Sequence, residues 1–138
     1  MKPLRVLIVD DNELNVQLAA FVLSDGGMEV DSADGASQAL LQIAAFRPDL
    51  ILMDIQMPDM DGLELTRRLK ADPLTRRIVV VAFTAFAMKG DEAKMRAAGC
   101  DGYVAKPIDV KKFAAQVRAC LDGSAGDGCG TFAAIVAA

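Results

Sequence analysis

Apolar runs of strand length alternate along this chain with segments whose apolar residues recur at helical spacing. Leu4–Val9 (LRVLIV), residues 50–53 (LILM) and residues 78–82 (IVVVA) are nearly continuous and rich in β-branched side chains. Runs that are apolar on both faces predict parallel strands covered by helices on both sides. Met28–Ala33 and Gly102–Val104 are shorter, more polar strand candidates. Between the runs, Leu14, Leu18, Phe21 and Val22 follow the i, i+4, i+7, i+8 spacing of one buried helical stripe. Asp11 or Asn12 is placed to cap that helix and Gly26-Gly27 to end it. Ala36, Leu40, Ile43 and Ala44 repeat the pattern up to Pro48. Residues 62–71 predict a third helix with Leu65 and Leu69 inward, ended by Asp72-Pro73, and Val110, Phe113, Ala114, Val117 and Leu121 predict a fifth. The fourth, over 87–98, has only a thin apolar face of Met88, Ala93, Met95 and Ala97, and a thinly anchored helix is a candidate for motion.

The order is β-α repeated five times, which right-handed crossovers turn into a doubly wound α/β sandwich. The expected fold is flavodoxin-like (βα)5 with strand order 2-1-3-4-5, over residues 1–121. Residues 122–138 change character: four glycines fall within eight positions, a short apolar stretch follows, and no basic residue occurs. They are expected to form a flexible Gly-rich tail.

Composition narrows the chemistry. Of 138 residues 53% are hydrophobic and 25% charged, enough for a core and unlike a disordered chain. No histidine is present, which excludes Ser-His-Asp and Cys-His catalysis, a His-ligated metal, and a phosphohistidine on this chain. No signal-peptide pattern opens the sequence and no apolar run is long enough to span a membrane. Cys100, Cys120 and Cys129 lack zinc or redox spacing and read as reduced thiols, so a cytoplasmic location is expected. The net charge of −4 argues against nucleic-acid binding. It is also unevenly sorted, with a balance of −9 over residues 1–66 and +5 over 67–138.

In an open α/β sheet the ligand site lies at the carboxyl ends of the strands, near the switch in strand order. The first strand delivers Asp10 and Asp11 there, the third Asp54, the fourth Thr84, and the fifth Lys106 just before Pro107. Like charges about 4 Å apart repel by roughly 4 kcal/mol at an effective dielectric near 20, so three converging carboxylates need compensation. Lys106 can neutralise one; a divalent cation on all-oxygen ligands, magnesium rather than zinc, suits the rest. Such a site fits phosphoryl transfer, with Asp54 as nucleophile on phosphorus and Lys106 and Thr84 contacting the phosphoryl group.

The segments VLIVDDNELN at 6–15, LILMDIQMPDMDG at 50–62, TAFAM at 84–88 and DGYVAKP at 101–107 make the chain resemble the receiver domain of bacterial two-component response regulators, over about residues 4–121. It is most similar in kind to stand-alone CheY- and DivK-like receivers; the run TAFAMKGDE and the Gly-Cys-Asp-Gly-Tyr stretch after it favour the DivK-like group of cell-cycle and developmental signalling. The resemblance implies that Asp54 is the phosphoacceptor, charged by a sensor histidine kinase or a histidine phosphotransfer protein. It implies that Asp10 and Asp11 hold Mg2+ with Asp54 and the backbone carbonyl of Gln56. Thr84 would be the switch hydroxyl, Tyr103 the switch aromatic, Lys106 the phosphate-binding lysine, and Lys106–Pro107 a cis peptide. Gln56 and Phe86 would tune hydrolysis of the acyl phosphate, Phe86 by crowding the path of an attacking water. The output would be a phosphorylation-dependent protein contact through the fourth helix, fifth strand and fifth helix, with no nucleic acid or membrane involved. This describes a signalling domain with intrinsic Mg-dependent phosphorylation and dephosphorylation chemistry rather than an enzyme. A haloacid-dehalogenase-like phosphohydrolase also uses an Asp nucleophile, but it needs a second Asp two residues on, where this chain has Gln56, and a cap domain. A receiver fold kept only as a scaffold is countered by the intact acids, Thr84 and Lys106.

Overall fold

The computed structural model of the chain describes residues 4–54, 62–84, 89–105 and 110–122. Among the described residues five strands and five helices alternate: β1 (Arg5–Val9), α1 (Glu13–Asp25), β2 (Glu29–Ala33), α2 (Ala36–Phe46), β3 (Leu50–Asp54), α3 (Gly62–Ala71), β4 (Val79–Thr84), α4 (Lys89–Ala98), β5 (Gly102–Ala105) and α5 (Phe113–Asp122). All strand pairs are parallel and the sheet order is β2-β1-β3-β4-β5, the expected flavodoxin-like arrangement. No helix among the described residues is long and apolar enough to cross a membrane.

Strand alternation divides the core into two layers. Leu7, Val9, Ile51, Met53, Val80 and Ala82 face the α2–α4 side, where Leu65, Leu69 and Met95 cover them. Val6, Ile8, Leu50, Leu52, Val81 and Phe83 face the α1–α5 side, under Ala19, Leu23, Phe113 and Val117. Both faces are buried, which is why the strand runs are apolar without a period. The polar positions of β2, Asp31 and Ser32, are only half-buried because β2 is an edge strand.

Two helices turn a different face inward from the one their spacing suggests. In α1 the buried residues are Ala19, Val22 and Leu23, whereas Leu14, Leu18 and Phe21 are exposed. This helix is apolar on more than one side, so spacing alone cannot choose the stripe. The face led by Ala19 permits close approach to the sheet. In α2, Ala36, Ala39 and Ile43 are buried, while Leu40 and Ala44 turn outward and line a groove against α3. In α3, Leu65 and Leu69 point inward as expected, joined by Leu63 and Thr66. In α4, Met95 and Ala98 are buried and Ala97 is exposed; Met88 lies outside the described residues. In α5, Phe113 and Val117 are buried, but Val110 precedes the helix and is exposed.

The termini of α1 follow their local chemistry. Asn12, not Asp11, is the cap: its side-chain oxygen accepts from the Asn15 N–H at 3.2 Å. At the other end the Gly26 N–H donates to the Val22 carbonyl at 3.1 Å, and Gly27 turns the chain at φ 86°, a conformation that favours glycine.

At the edge remote from the strand carboxyl ends, Lys70 Nζ donates to Asp101 Oδ2 at 2.8 Å and to the Ile78 carbonyl at 2.8 Å, while the Val80 N–H donates to the same Asp101 oxygen at 2.9 Å. Next to this knot, burial pushes the Cys100 thiol up from 9.0 to about 11, against a hydrogen bond with Thr66 that lowers it. In the unfolded chain the thiol ionises near its ordinary value while the folded chain holds the proton. The associated stability is therefore intact below about pH 9 and lost between about pH 9 and 11. Two pH units correspond to roughly 2–3 kcal/mol. Urea unfolding should show this alkaline loss in the native chain and a shallower one in Cys100→Ala, whose other titrating groups are unchanged.

Candidate functional site

Register brings the acids together. Val9 of β1 pairs with Met53 of β3, so the next residue on each strand, Asp10 and Asp54, stand side by side at the carboxyl edge. Adjacent strands are about 4.8 Å apart, which sets the scale of their separation. Asp11 follows in the turn into α1. One carboxylate oxygen from each of Asp10, Asp11 and Asp54 lies within 4.8 Å of the others. Asp10 is 1% and Asp54 5% exposed, and Asp11 faces solvent. Asp10 is held from two directions: its backbone N–H donates to the Ala33 carbonyl at 3.1 Å, and its Oδ1 accepts the Asn12 N–H at 2.8 Å. Because Asn12 caps α1, Asp11 is left for the cluster.

At about 5 Å each pair of these carboxylates repels by roughly 3–4 kcal/mol at an effective dielectric near 20. Two of the three are buried, so water screens them poorly. The donor set is all oxygen, and a cavity of about 420 Å³ lined by Asp10, Asp11, Glu13, Ser32, Asp34 and Gln38, among others, opens beside it. Hard oxygen ligands with space for waters fit a hard divalent cation. The acidic pocket can therefore bind a metal ion.

Two acids of this edge are not among the residues expected from the sequence, Glu13 and Asp34. Asp34 directly follows β2, whose Ala33 pairs with Val9, so the strand-end logic that found Asp10 and Asp54 reaches it too. Its backbone N–H donates to Gln38 Oε1 at 2.7 Å. These acids account for part of the negative balance of the first half of the chain.

Thr84 is the last residue of β4, two positions beyond the run expected from sequence; it pairs with Ala105 of β5, and the preceding Phe83 pairs with Asp54. Tyr103 pairs with Ala82, is half-buried, and packs on the α2–α4 layer of the core. The strand register thus carries Thr84 to the same edge as Asp54 and sets Tyr103 on the neighbouring strand. Gln56, Phe86, Lys106 and Pro107 lie outside the described residues, as does the expected tail apart from Asp122, which ends α5.

Known proteins similar to this chain identify the class of signalling module to which this sheet and its acidic edge belong. The profile of the response regulator receiver domain matches residues 6–118, and the chain belongs to that family. Among its relatives, the polar-differentiation response regulator DivK of Brucella anthropi is 46% identical over 119 residues, covering 86% of this chain and 97% of that protein. DivK of Brucella ovis is 46% identical over 116 residues, with 84% and 94% covered. A putative response regulator from Chloroflexus aurantiacus superposes with a TM-score of 0.82 at 31% identity, covering 88% of this chain and 99% of that one. The chemotaxis response regulator CheY4 of Vibrio cholerae shares the fold, with a TM-score of 0.81 at 24% identity over 86% of this chain and 99% of that one. A receiver of this DivK-like kind is the phosphoacceptor in two-component signalling, a signalling domain whose partners are histidine kinases or phosphotransfer proteins.

Proposed function

We propose that Asp54 is the phosphorylated residue. One observation carries this reading: of the three acids at the strand ends, Asp54 terminates the central strand β3 as a buried carboxylate, with Asp10 and Asp11 within 4.8 Å. A strand-terminal carboxylate is rigidly aimed, and its two neighbours are placed to hold a cation rather than to react. An Asp54 oxygen attacks phosphorus and the bond from phosphorus to the donor breaks. For a phosphohistidine that is the P–N bond, and the imidazole leaves with a proton; the product is an acyl phosphate. Asp10, Asp11, Asp54 and the Gln56 backbone carbonyl would hold Mg2+. When bound, that ion offsets charge on the transferring oxygens.

Lys106 supplies the second cation to the phosphoryl group, ahead of a cis Pro107, and the Thr84 hydroxyl donates a hydrogen bond to it. Thr84 moves toward the new charge and Tyr103 fills the space it leaves, shifting α4 and β5. The register that sets Tyr103 opposite Ala82, two residues before Thr84, supports this coupling. The α4–β5–α5 face, which carries Lys89, Lys94, Arg96, Lys111, Lys112 and Arg118 in the sequence, then meets the protein target. Gln56 and Phe86 set how long the acyl phosphate lasts, on a scale of minutes or more. The protein works in the cytoplasm without nucleic acid or membrane. Like its relatives named for polar differentiation, it serves developmental or cell-cycle signalling.

The test is incorporation of label from acetyl phosphate or phosphoramidate with magnesium present. Label bound stoichiometrically, and lost when EDTA is added before the donor, is the expected result. Failure to label with magnesium present would reduce the chain to a receiver fold kept as a scaffold.

A further inference from the structure

The end of the sheet remote from the acidic edge carries a groove of the opposite charge. There α2 packs on β1 and β2, whereas α3 leans on α4. A cavity of about 760 Å³ lies between α2 and α3. Buried Ile43 and Leu69 and half-buried Ile78 line it, as do Leu40, 43% exposed, and Leu74, 90% exposed. In α2 the small Ala39 enters the core while Leu40 turns to this groove. A leucine placed outside an alanine gains the benefit of burial only when something covers it.

The polar lining is divided. Asp72 and Thr75 are engaged within the loop that follows α3: Asp72 Oδ1 accepts the Leu74 N–H at 2.9 Å, and the Thr75 hydroxyl donates to the Leu69 carbonyl at 2.7 Å. Arg47 makes no ion pair among the described residues. Arg68 shares with Arg67 the one carboxylate of Glu64, at 3.7 and 3.2 Å respectively. The segments that form the groove, residues 36–49 and 62–78, hold six basic and three acidic side chains in a chain whose net charge is −4. Arg47 also closes α2 in left-handed backbone, at φ 53° and ψ 67°. That conformation favours glycine, so the guanidinium is kept there against the preference of the fold. Strain of this kind gathers at binding sites.

We propose that the groove between α2 and α3 seats an acidic amphipathic helix of a partner protein, its apolar stripe on Leu40, Leu69 and Leu74 and its carboxylates on Arg47 and Arg68. Length and charge favour this occupant. From Leu40 to Arg47 the chain rises about 10 Å along α2, at 1.5 Å per residue. That is the span of helix anchors at i, i+3 or i+4, and i+7, the pattern with which a helix enters a groove. The two guanidiniums at the rim select acids beside those anchors. The groove borders the starts of β3 and β4, whereas Asp54 ends β3. The helix would therefore be held without touching the acidic edge, and its docking does not depend on which residue takes phosphorus.

Methyl NMR on the full chain tests it. The probe is a capped synthetic peptide of about 15 residues, long enough to hold a helix, with leucine at i, i+3, i+4 and i+7 and glutamate at the flanking positions. The expected result is a saturable shift of the Leu40, Ile43, Leu69 and Leu74 methyl signals that fades with added salt. The same peptide with lysine for every glutamate should leave those signals in place. Arg47→Gly and Arg68→Ser combined should weaken the glutamate peptide about tenfold, the size that two exposed ion pairs supply. Arg47→Gly alone should melt no lower than the native chain, because glycine accepts the left-handed backbone; a fall would assign Arg47 to the fold and overturn its place in the site. Equal binding of the lysine peptide, full affinity in the combined variant, or shifts confined to another face overturns the proposal. So do the same shifts, with the same dependence on the two arginines, on adding sodium decanoate, which would make the occupant a small anionic amphiphile. A change of these signals with chain concentration alone would make it a second copy, and overturns the proposal too.

Discussion

Asp54→Asn should abolish phosphoryl labelling from acetyl phosphate and, in the absence of divalent cations, melt at a higher temperature than the native chain. The two effects share one origin. Asp10 and Asp54 are buried at neighbouring strand ends, with Asp11 beside them and an oxygen of each within 4.8 Å. Folding must hold these charges together, whereas in the unfolded chain they are solvated and apart. Removing the Asp54 charge relieves two repulsive pairs. At roughly 3–4 kcal/mol each before solvent and relaxation reduce them, a net gain of about 1–3 kcal/mol is expected. For a domain of this size that is a rise of several degrees. The amide is nearly isosteric with the carboxylate but cannot attack phosphorus, so the label is lost completely. Magnesium should raise the melting temperature of the native chain, as any ligand of the folded state does, and raise it much less in the variant. Differential scanning calorimetry with and without EDTA, run beside the labelling assay, reads both effects. A variant that is less stable than the native chain without metal would mean that the acids are compensated by the protein itself, and the cation would not be needed. Destabilised function of this sort is a common cost of an active site.

The sheet was legible from sequence for a physical reason. Parallel strands buried on both faces must be continuously apolar, and residues 50–53 and 78–82 have no other reading as short runs between breakers. Strand ends were legible to within one or two residues, and that sufficed to place Asp10, Asp11 and Asp54 together, because their convergence depends on strand order. Thr84 enters β4 because the strand runs on past Ala82 through Phe83, whose pairing with Asp54 is a tertiary fact. Helix faces were less legible. In α1 the sequence offers two apolar stripes, and the choice falls to the one with Ala19, where a small side chain lets the helix lie close to β1 and β2. In α2 the same competition buries Ala39 and leaves Leu40 outside. Periodicity reports that a stripe exists; it does not report which of two stripes meets the sheet. Glu13 lies within the motif at 6–15 but past the strand end, and Asp34 lies outside every motif; only the pairing of Ala33 with Val9 brings Asp34 to the acidic edge.

Phe113→Ala should have the opposite signature to Asp54→Asn, a large loss of stability with the chemistry retained. Phe113 is fully buried, and its ring lies 5.9 Å from that of Phe83, the planes 28° apart. The pair joins the first turn of α5 to β4, so truncation removes a transfer contribution, an aromatic contact and the packing that docks the last helix. Large-to-small changes of this kind cost about 3–5 kcal/mol. That is a fifth or more of the roughly 5–15 kcal/mol that stabilises a typical domain. Phe113→Leu keeps most of the volume and should cost about 1–2 kcal/mol. The urea midpoint measures both. Phe113 is absent from the acidic edge, but it supports Phe83, which pairs with Asp54 and precedes Thr84. At a temperature and urea concentration where Phe113→Ala is still folded, it should accept label from acetyl phosphate, because the three acids hang on β1 and β3 and not on α5. Loss of labelling in a folded Phe113→Ala chain would show that the β4 end, through Phe83 and Thr84, is held in its working position by α5, and would move the aromatic pair from the core of the fold into the machinery of the site.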